Sequence, residues 1–271
     1  MVNVDKLGII AGNRTLPLLL AQQARELGVN QLVAVAINGE TDTRINDYVD
    51  DVTWLKVGQL SKLIKAFKSA NVKKCVMVGQ ISPKNLFDLR PDLRAMKLMM
   101  GLKKKNAHTI FGAIADELEA EGIKLIEATP WLKPIMPGSG YHVGPKLSTK
   151  QKSDIKLGHR IATEIARLDI GQTVVIKNGT VLAVEGFEGT DACLSRGGGL
   201  AGSRGGAIAI KVAKPDHDFR FDIPCLGRQT LETCAAYRLS ALAFQSSRTI
   251  LLDREAVEEK AIQLKISVMT I

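Results

Sequence analysis

An α/β fold in two parts is predicted by three features of the chain. Short apolar runs alternate with helix-periodic segments through the N-terminal half, prolines and glycines cluster between residues 130 and 145, and an Asn178-Gly179 pair then separates two β-rich runs. The first feature implies right-handed crossovers and a parallel sheet covered on both faces, which assigns residues 1–132 to an α/β domain. The second marks a Pro/Gly-rich linker over 133–148, where composition changes and few elements are expected. The third opens a mixed α+β domain over 149–271.

Taken in order, LGII at 7–10 is a buried strand closed by AGNRTLP, and PLLLAQQAREL repeats apolar residues at helical spacing. LVAVAI at 32–37 is a second strand, LSKLIKAF a second helix and CVMVG at 75–79 a third strand. Two helices are expected within 91–121, and KLIEA at 124–128 is a further strand. Four of the nine prolines then fall at 130, 134, 137 and 145, with Gly138, Gly140 and Gly144 among them. Beyond them a helix is expected over 151–168, followed by TVVIKNGTVLAVE as a hairpin about Asn178-Gly179. AIAIKVA at 207–213 and FRFDI at 219–223 are expected strands, and TILLD and ISVMTI close the chain around a last helix.

Length and composition bound the function. With 271 residues and 45% apolar content the chain can bury a sizeable core. A net charge of +9 favours anionic partners such as nucleotides, phosphorylated metabolites, nucleic acid or an acidic membrane face. Aromatics are only 4% and no basic run is interleaved with them, so no base-stacking platform is indicated and nucleic acid is not the expected partner. Cys75, Cys193, Cys225 and Cys234 form no CxxC pair and have no His at zinc-finger spacing, which reads as reduced thiols in a cytoplasmic protein. Charged residues at 5, 14, 25 and 26 interrupt the N-terminal segment, so neither a signal peptide nor a membrane span is expected there.

Four places carry candidate chemistry. AGNRTLP and VGQISP each follow a buried strand, where α/β sheets bind ligands. Gly12, Asn13, Gly79 and Gln80 are therefore candidate substrate contacts, against the plainer reading of ordinary turns with Asn13 or Thr15 as a helix cap. In EGFEGTDACLSRGGG, Glu185, Glu188 and Asp191 recur at three-residue spacing, and a helix beginning near Thr190 would place Asp191 in its first turn. That is a favoured site for a carboxylate, which can also hold a hard cation. The glycines after it imply close backbone approach or a loose loop. In KPDHDFRFDIP, period-two alternation places Phe219, Phe221 and Ile223 on one face and Asp218, Arg220 and Asp222 on the other. Carboxylates roughly 6.6 Å apart, with Lys211 and Lys214 just upstream, suit a metal and a diphosphate; a solvated strand face has the same pattern. Lys103, Lys104 and Lys105 beside Leu98, Met99, Met100 and Leu102 read as a solvated helix with a core face, or as a surface meeting an anionic lipid. No Walker loop, GxSxG or HExxH is present.

LGIIAGNRTLP, VGQISP with LRPDLR, RLDIGQTVV, VLAVEGFEGTDACLSR and KPDHDFRFDIPCLG resemble, in this order and spacing, the LpxI-type UDP-2,3-diacylglucosamine pyrophosphatases of lipid A biosynthesis. The resemblance implies a Rossmann-like N-terminal domain and a family-specific C-terminal domain, with a UDP-linked acylated glucosamine bound between them. It also implies a homodimer that meets the cytoplasmic face of the inner membrane by peripheral contact. It implies hydrolysis of the diphosphate to UMP and 2,3-diacylglucosamine 1-phosphate (lipid X), with Mg2+ or Mn2+ as cofactor. Carried over, the catalytic aspartate is Asp222, and Glu188, Gly189, Thr190 and Asp191 become phosphate or metal neighbours; beside them Lys211, Lys214 and Arg220 are expected to balance the charge of the bound substrate, and Asp218 or Glu188 to complete the metal shell with Asp191. Lys105-Asn106-Ala107-His108 stands where the family commonly has a Gly-Asp-Asp run, and His217 where it often has Gln. The alternatives are a hydrolase of another UDP-sugar and a non-catalytic nucleotide- or nucleic-acid-binding protein.

Overall fold

The computed structural model describes residues 4–81, 91–102, 107–214, 218–221 and 223–271. The chain divides into two compact units. The first runs to Leu132 and takes in residues 218–221; the second starts at Lys133 and resumes at Ile223.

In the first unit β1 (Lys6–Ala11), β2 (Gln31–Ile37), β3 (Asp51–Leu55), β4 (Lys74–Val78) and β5 (Lys124–Leu125) form one parallel sheet of order β3-β2-β1-β4-β5. The connections include α1 (Leu16–Glu26), α2 (Leu60–Ser69), α3 (Leu93–Gly101) and α4 (Ala107–Ala120), with a short α5 (Thr129–Leu132) after β5. β1 and β2 are buried along nearly their whole length, as strands covered on both faces must be, and this is why they read as unbroken apolar runs. The edge strand β3 carries no apolar run that would predict it: Asp51-Val-Thr-Trp-Leu55 alternates and is only partly buried. One core gathers Val33, Val35, Ile64, Phe67, Cys75 and Leu118. Burying a side chain such as Phe67 contributes about 1.5–3 kcal/mol. Strand order reverses between β1 and β4, the topological switch point at which such sheets take their ligands.

In the second unit the segment expected as a linker carries two short elements. A 3-10 turn (Lys133–Ile135) leads to β6 (His142–Val143), which pairs antiparallel with the last strand. Ser148 then starts α6 (Thr149–Arg167) with a full capping box shared with Gln151. β7 (Thr173–Lys177) and β8 (Thr180–Val184) are the hairpin predicted from Asn178-Gly179, whose φ values of 52° and 77° suit a primed turn. Buried Asp154 on α6 accepts from the N–H groups of both turn residues, at 2.8 and 2.7 Å. α7 (Thr190–Leu200), β9 (Ile208–Lys211), β10 (Cys225–Leu226), α8 (Arg228–Ala236), β11 (Ala241–Phe244), β12 (Ile250–Leu251), α9 (Arg254–Gln263) and β13 (Ser267–Thr270) complete it. The main sheet has order β6-β13-β11-β9-β7-β8: parallel at its centre, antiparallel towards both edges. One core gathers Val175, Leu194, Leu231, Phe244 and Val257, and another gathers Ile155, Ala162, Ile176 and Ile210.

The first part of the glycine-rich stretch after the EGTD segment, Gly197 to Gly199, belongs to α7, and Gly202, Gly205 and Gly206 follow in the turns beyond its end. A Cβ on Gly197 would stand 2.5 Å from Val175 Cβ, and one on Gly198 2.5 Å from Tyr237 Cβ. The missing side chains let the helix lie close to β7 on one side and to the end of α8 on the other.

Candidate functional site

The loops after β1 and β4 meet, as their positions at the carboxyl ends of neighbouring strands require. Gly12 N donates to Val78 O at 2.8 Å, and Asn13 N to Gln80 O at 2.7 Å. A Cβ on Gly12 would come within 2.5 Å of Gln80 O; one on Gly79, whose φ is +89°, within 2.7 Å of Asn13 O. Gly12, Asn13, Gly79 and Gln80 are thus brought together. Each of the two glycines makes room for the opposite loop, so its presence needs no ligand to explain it. The loop after β2 joins them: Thr41 Oγ1 donates to Ala11 O at 2.6 Å and Asn13 Nδ2 to Glu40 Oε2 at 2.8 Å. Thr15, at the N-cap of α1, makes no side-chain cap. Ser82 and Pro83 of the VGQISP motif lie outside the described residues.

The strand expected over 219–223 is not formed by the described residues 218–221, which make a turn. Asp218 accounts for this. Its carbonyl accepts from Phe221 N at 3.2 Å, its carboxylate accepts from Arg220 N at 3.1 Å, and Arg220 Nε and Nη2 grip the same carboxylate at 2.9 and 2.7 Å. Local side-chain-to-backbone bonding outcompetes the extended conformation. The guanidinium of Arg220 is held further into its charged form, first by the Asp218 hydrogen bond. Phe221, partly buried, packs on Phe111 of α4, ring centroids 5.9 Å apart, and against the core of the first unit. Asp222, Lys103 to Lys105, Asn106 and the 215–217 stretch with His217 lie outside the described residues.

In the second unit the EGTD segment turns from β8 into α7. Helix α7 begins at Thr190, as expected, with Gly189 at the N-cap (φ +85°) and Asp191 in the first turn. Thr190 and Lys211 are brought together, Lys211 Nζ donating to Thr190 Oγ1 at 3.0 Å. The third member, Glu185, was not singled out as a site residue: Thr190 Oγ1 donates to its Oε1 at 3.0 Å and Gln172 N to its Oε2 at 3.3 Å. Alternation from buried Ala183 in β8 carries Glu185 to the inward side, and that period was the signal available. Glu188 faces elsewhere. It is ion-paired with Arg196 and accepts from Gly186 N at 3.0 Å, and the Arg196 hydrogen bond holds its carboxyl below the usual range. Lys214 is ion-paired with Asp169. Among the described residues no three His, Cys, Asp or Glu side chains gather in a way that could hold a metal ion, and no helix is long and apolar enough to cross a membrane.

Two family models match in tandem, the LpxI N-terminal domain over residues 6–135 and the LpxI C-terminal domain over residues 138–269. The chain belongs to the LpxI family. A curated relative from Caulobacter vibrioides, UDP-2,3-diacylglucosamine pyrophosphatase LpxI, is 30% identical over 275 residues, covering 97% of this LpxI-family chain and 96% of that protein. Among solved structures, the biotin carboxylase domain of Hydrogenobacter thermophilus 2-oxoglutarate carboxylase is 14% identical at a TM-score of 0.28 over 65% of this chain. An ADP complex of N5-carboxyaminoimidazole ribonucleotide synthetase is 13% identical at a TM-score of 0.27 over 70% of this chain. The chain spans only 35% and 40% of those two proteins, and such low scores carry no argument about this fold.

Proposed function

We propose that this LpxI-family chain hydrolyses the diphosphate bond of UDP-2,3-diacylglucosamine, giving UMP and 2,3-diacylglucosamine 1-phosphate. The observation that carries the reading is the 30% identity to a pyrophosphatase of that name over 97% of the chain. Water adds to one phosphorus, and the bridging oxygen leaves with the other phosphate. Asp222 is proposed to activate or orient that water, a role resting on its place in the D-x-R-x-D-x-P segment. Lys211, with Thr190 and the first turn of α7, is proposed to bind phosphate oxygens, helped by the positive end of the helix. Lys214 and Arg220 add positive charge, although each already holds a carboxylate.

Magnesium or manganese, when bound, would neutralise the diphosphate charge. Of the three carboxylates expected to neighbour it, Glu188 and Asp218 are engaged by arginines, whereas Asp191 makes no ion pair among the described residues. Asp191 is therefore the proposed holder within the second unit. Homodimer formation and a cytoplasmic location at the membrane surface belong to the same proposal. For peripheral contact the supporting observation is α3, where Leu93, Met96 and Met100 are exposed at helical spacing with exposed Lys97 beside them.

The test is UMP release from UDP-2,3-diacylglucosamine with and without Mg2+ or Mn2+. Metal-dependent release, abolished by Asp222→Ala, is expected. Full activity in that variant would remove Asp222 from its role, and release from unacylated UDP-glucosamine alone would move the substrate to another UDP-sugar. The departure at 105–108 is the reason to run that comparison.

A further inference from the structure

We propose that Glu185 is a positioning residue, which acts through the Thr190 hydroxyl to fix the ammonium of Lys211 at the start of α7. The inference rests on the diphosphate reading of this site.

Glu185 is 9% exposed, directly after β8, and its backbone N–H is tied to Thr173 O at 2.8 Å. A carboxylate so placed is costly without compensation, yet no ion pair to Glu185 forms among the described residues. Its compensation comes from hydrogen bonds. Gln172 N donates to Oε2 at 3.3 Å and Thr190 Oγ1 to Oε1 at 3.0 Å. A hydroxyl has one proton to give. Because that proton is spent on Glu185, the Thr190 oxygen presents its lone pairs, and Lys211 Nζ lies 3.0 Å away as the donor. The carboxylate thus dictates the polarity of the whole row: Glu185 accepts, Thr190 donates and accepts, Lys211 donates. An ammonium has three donors and Thr190 takes one of them. Gly189 brings no side chain to the N-cap, so no side-chain cap competes at the helix start. Three residues, one directly after β8, one from α7 and one from β9, thereby locate one positive charge within the second unit, and the residue that sets its position is the one furthest from solvent.

The experiment is a mutant cycle read by kcat and KM for UDP-2,3-diacylglucosamine, by calorimetric affinity for UDP and inorganic pyrophosphate, and by melting temperature. Glu185→Ala is expected to lower kcat/KM roughly 10- to 100-fold, the scale on which outer partners of a site act. Glu185→Gln, whose amide oxygen can still accept from Thr190, is expected to recover most of that loss. In a Thr190→Ala background Glu185→Ala should cost almost nothing further. An equal loss in both backgrounds, or no recovery with Gln, overturns the proposal. If Glu185→Ala does not fold, Glu185→Met, similar in volume and lacking an acceptor, replaces it in the cycle. If the wild type binds pyrophosphate but releases no UMP, the substrate reading fails alone, and the cycle is decided on pyrophosphate affinity.

Discussion

The loops of the first unit and the start of α7 in the second are held differently. Between β1 and β4 main chain lies on main chain, two N–H groups pairing with two carbonyls across a gap that only glycines leave open. At α7, side chains from positions 185, 190 and 211 hold one another, and the two glycines deeper in the helix serve packing. The first arrangement tolerates change in side-chain chemistry and no added volume; the second has the reverse sensitivity.

Predictions that break or sharpen this contrast can be ranked by size. Gly12→Ala should cost the most, about 3 kcal/mol, the upper end for a Cβ forced against main chain that cannot swing aside, read as a lowered urea midpoint. A wild-type midpoint would mean the loops yield easily. Next comes Asp154→Ala, which strips two N–H groups at the β7–β8 turn of their acceptor in a buried place; about 1.5–3 kcal/mol is expected, with the turn amides exchanging faster. Asp154→Asn, retaining one acceptor oxygen, should cost less.

Smaller still is Glu188→Gln. The folded-state carboxyl is lowered from 4.5 by Arg196, so its contribution to stability is present above that value and disappears as pH falls through the folded-state value. The variant should therefore melt slightly below wild type at pH 7 and together with it in acid, and metal dependence should be unchanged. A lost metal response would restore Glu188 as a ligand. The slightest effect is chemical rather than energetic. Burial pushes the thiols of Cys75, Cys193 and Cys234 up to about 12, whereas Cys225 is half-buried. One thiol should titrate rapidly in the native protein at pH 8 and four in denaturant; a second fast thiol would report local opening.

What could be read from the sequence follows the same division. The parallel sheet was legible because strands buried on both faces leave continuous apolar runs, and the hairpin because Asn-Gly permits positive φ twice. β3 escaped because an edge strand with one open side need not be apolar. FRFDI misled because alternation is also what an aspartate-centred turn can carry: Asp218 bonds its own next neighbours, which no count of period two detects. At the candidate site the motif and its three acids were visible, but not which of them faces inward. Glu185 and Glu188 are alike in sequence, and only their position relative to buried Ala183 and to Arg196 separates the acceptor of the Thr190 hydroxyl from the surface pair.

Phe221, packed on Phe111, has a consequence for the order in which the molecule is made. Chain emerging from a ribosome completes the strands of the first unit with β5, near residue 125, but this aromatic ring that packs against that unit's core emerges roughly a hundred residues later, after most of the second unit's sheet has been synthesised. The N-terminal half is thus left with an unfilled place during translation. A fragment ending at Leu132 inherits the same vacancy permanently, and a short peptide carrying the 218–221 turn supplied in trans is the natural complement to it.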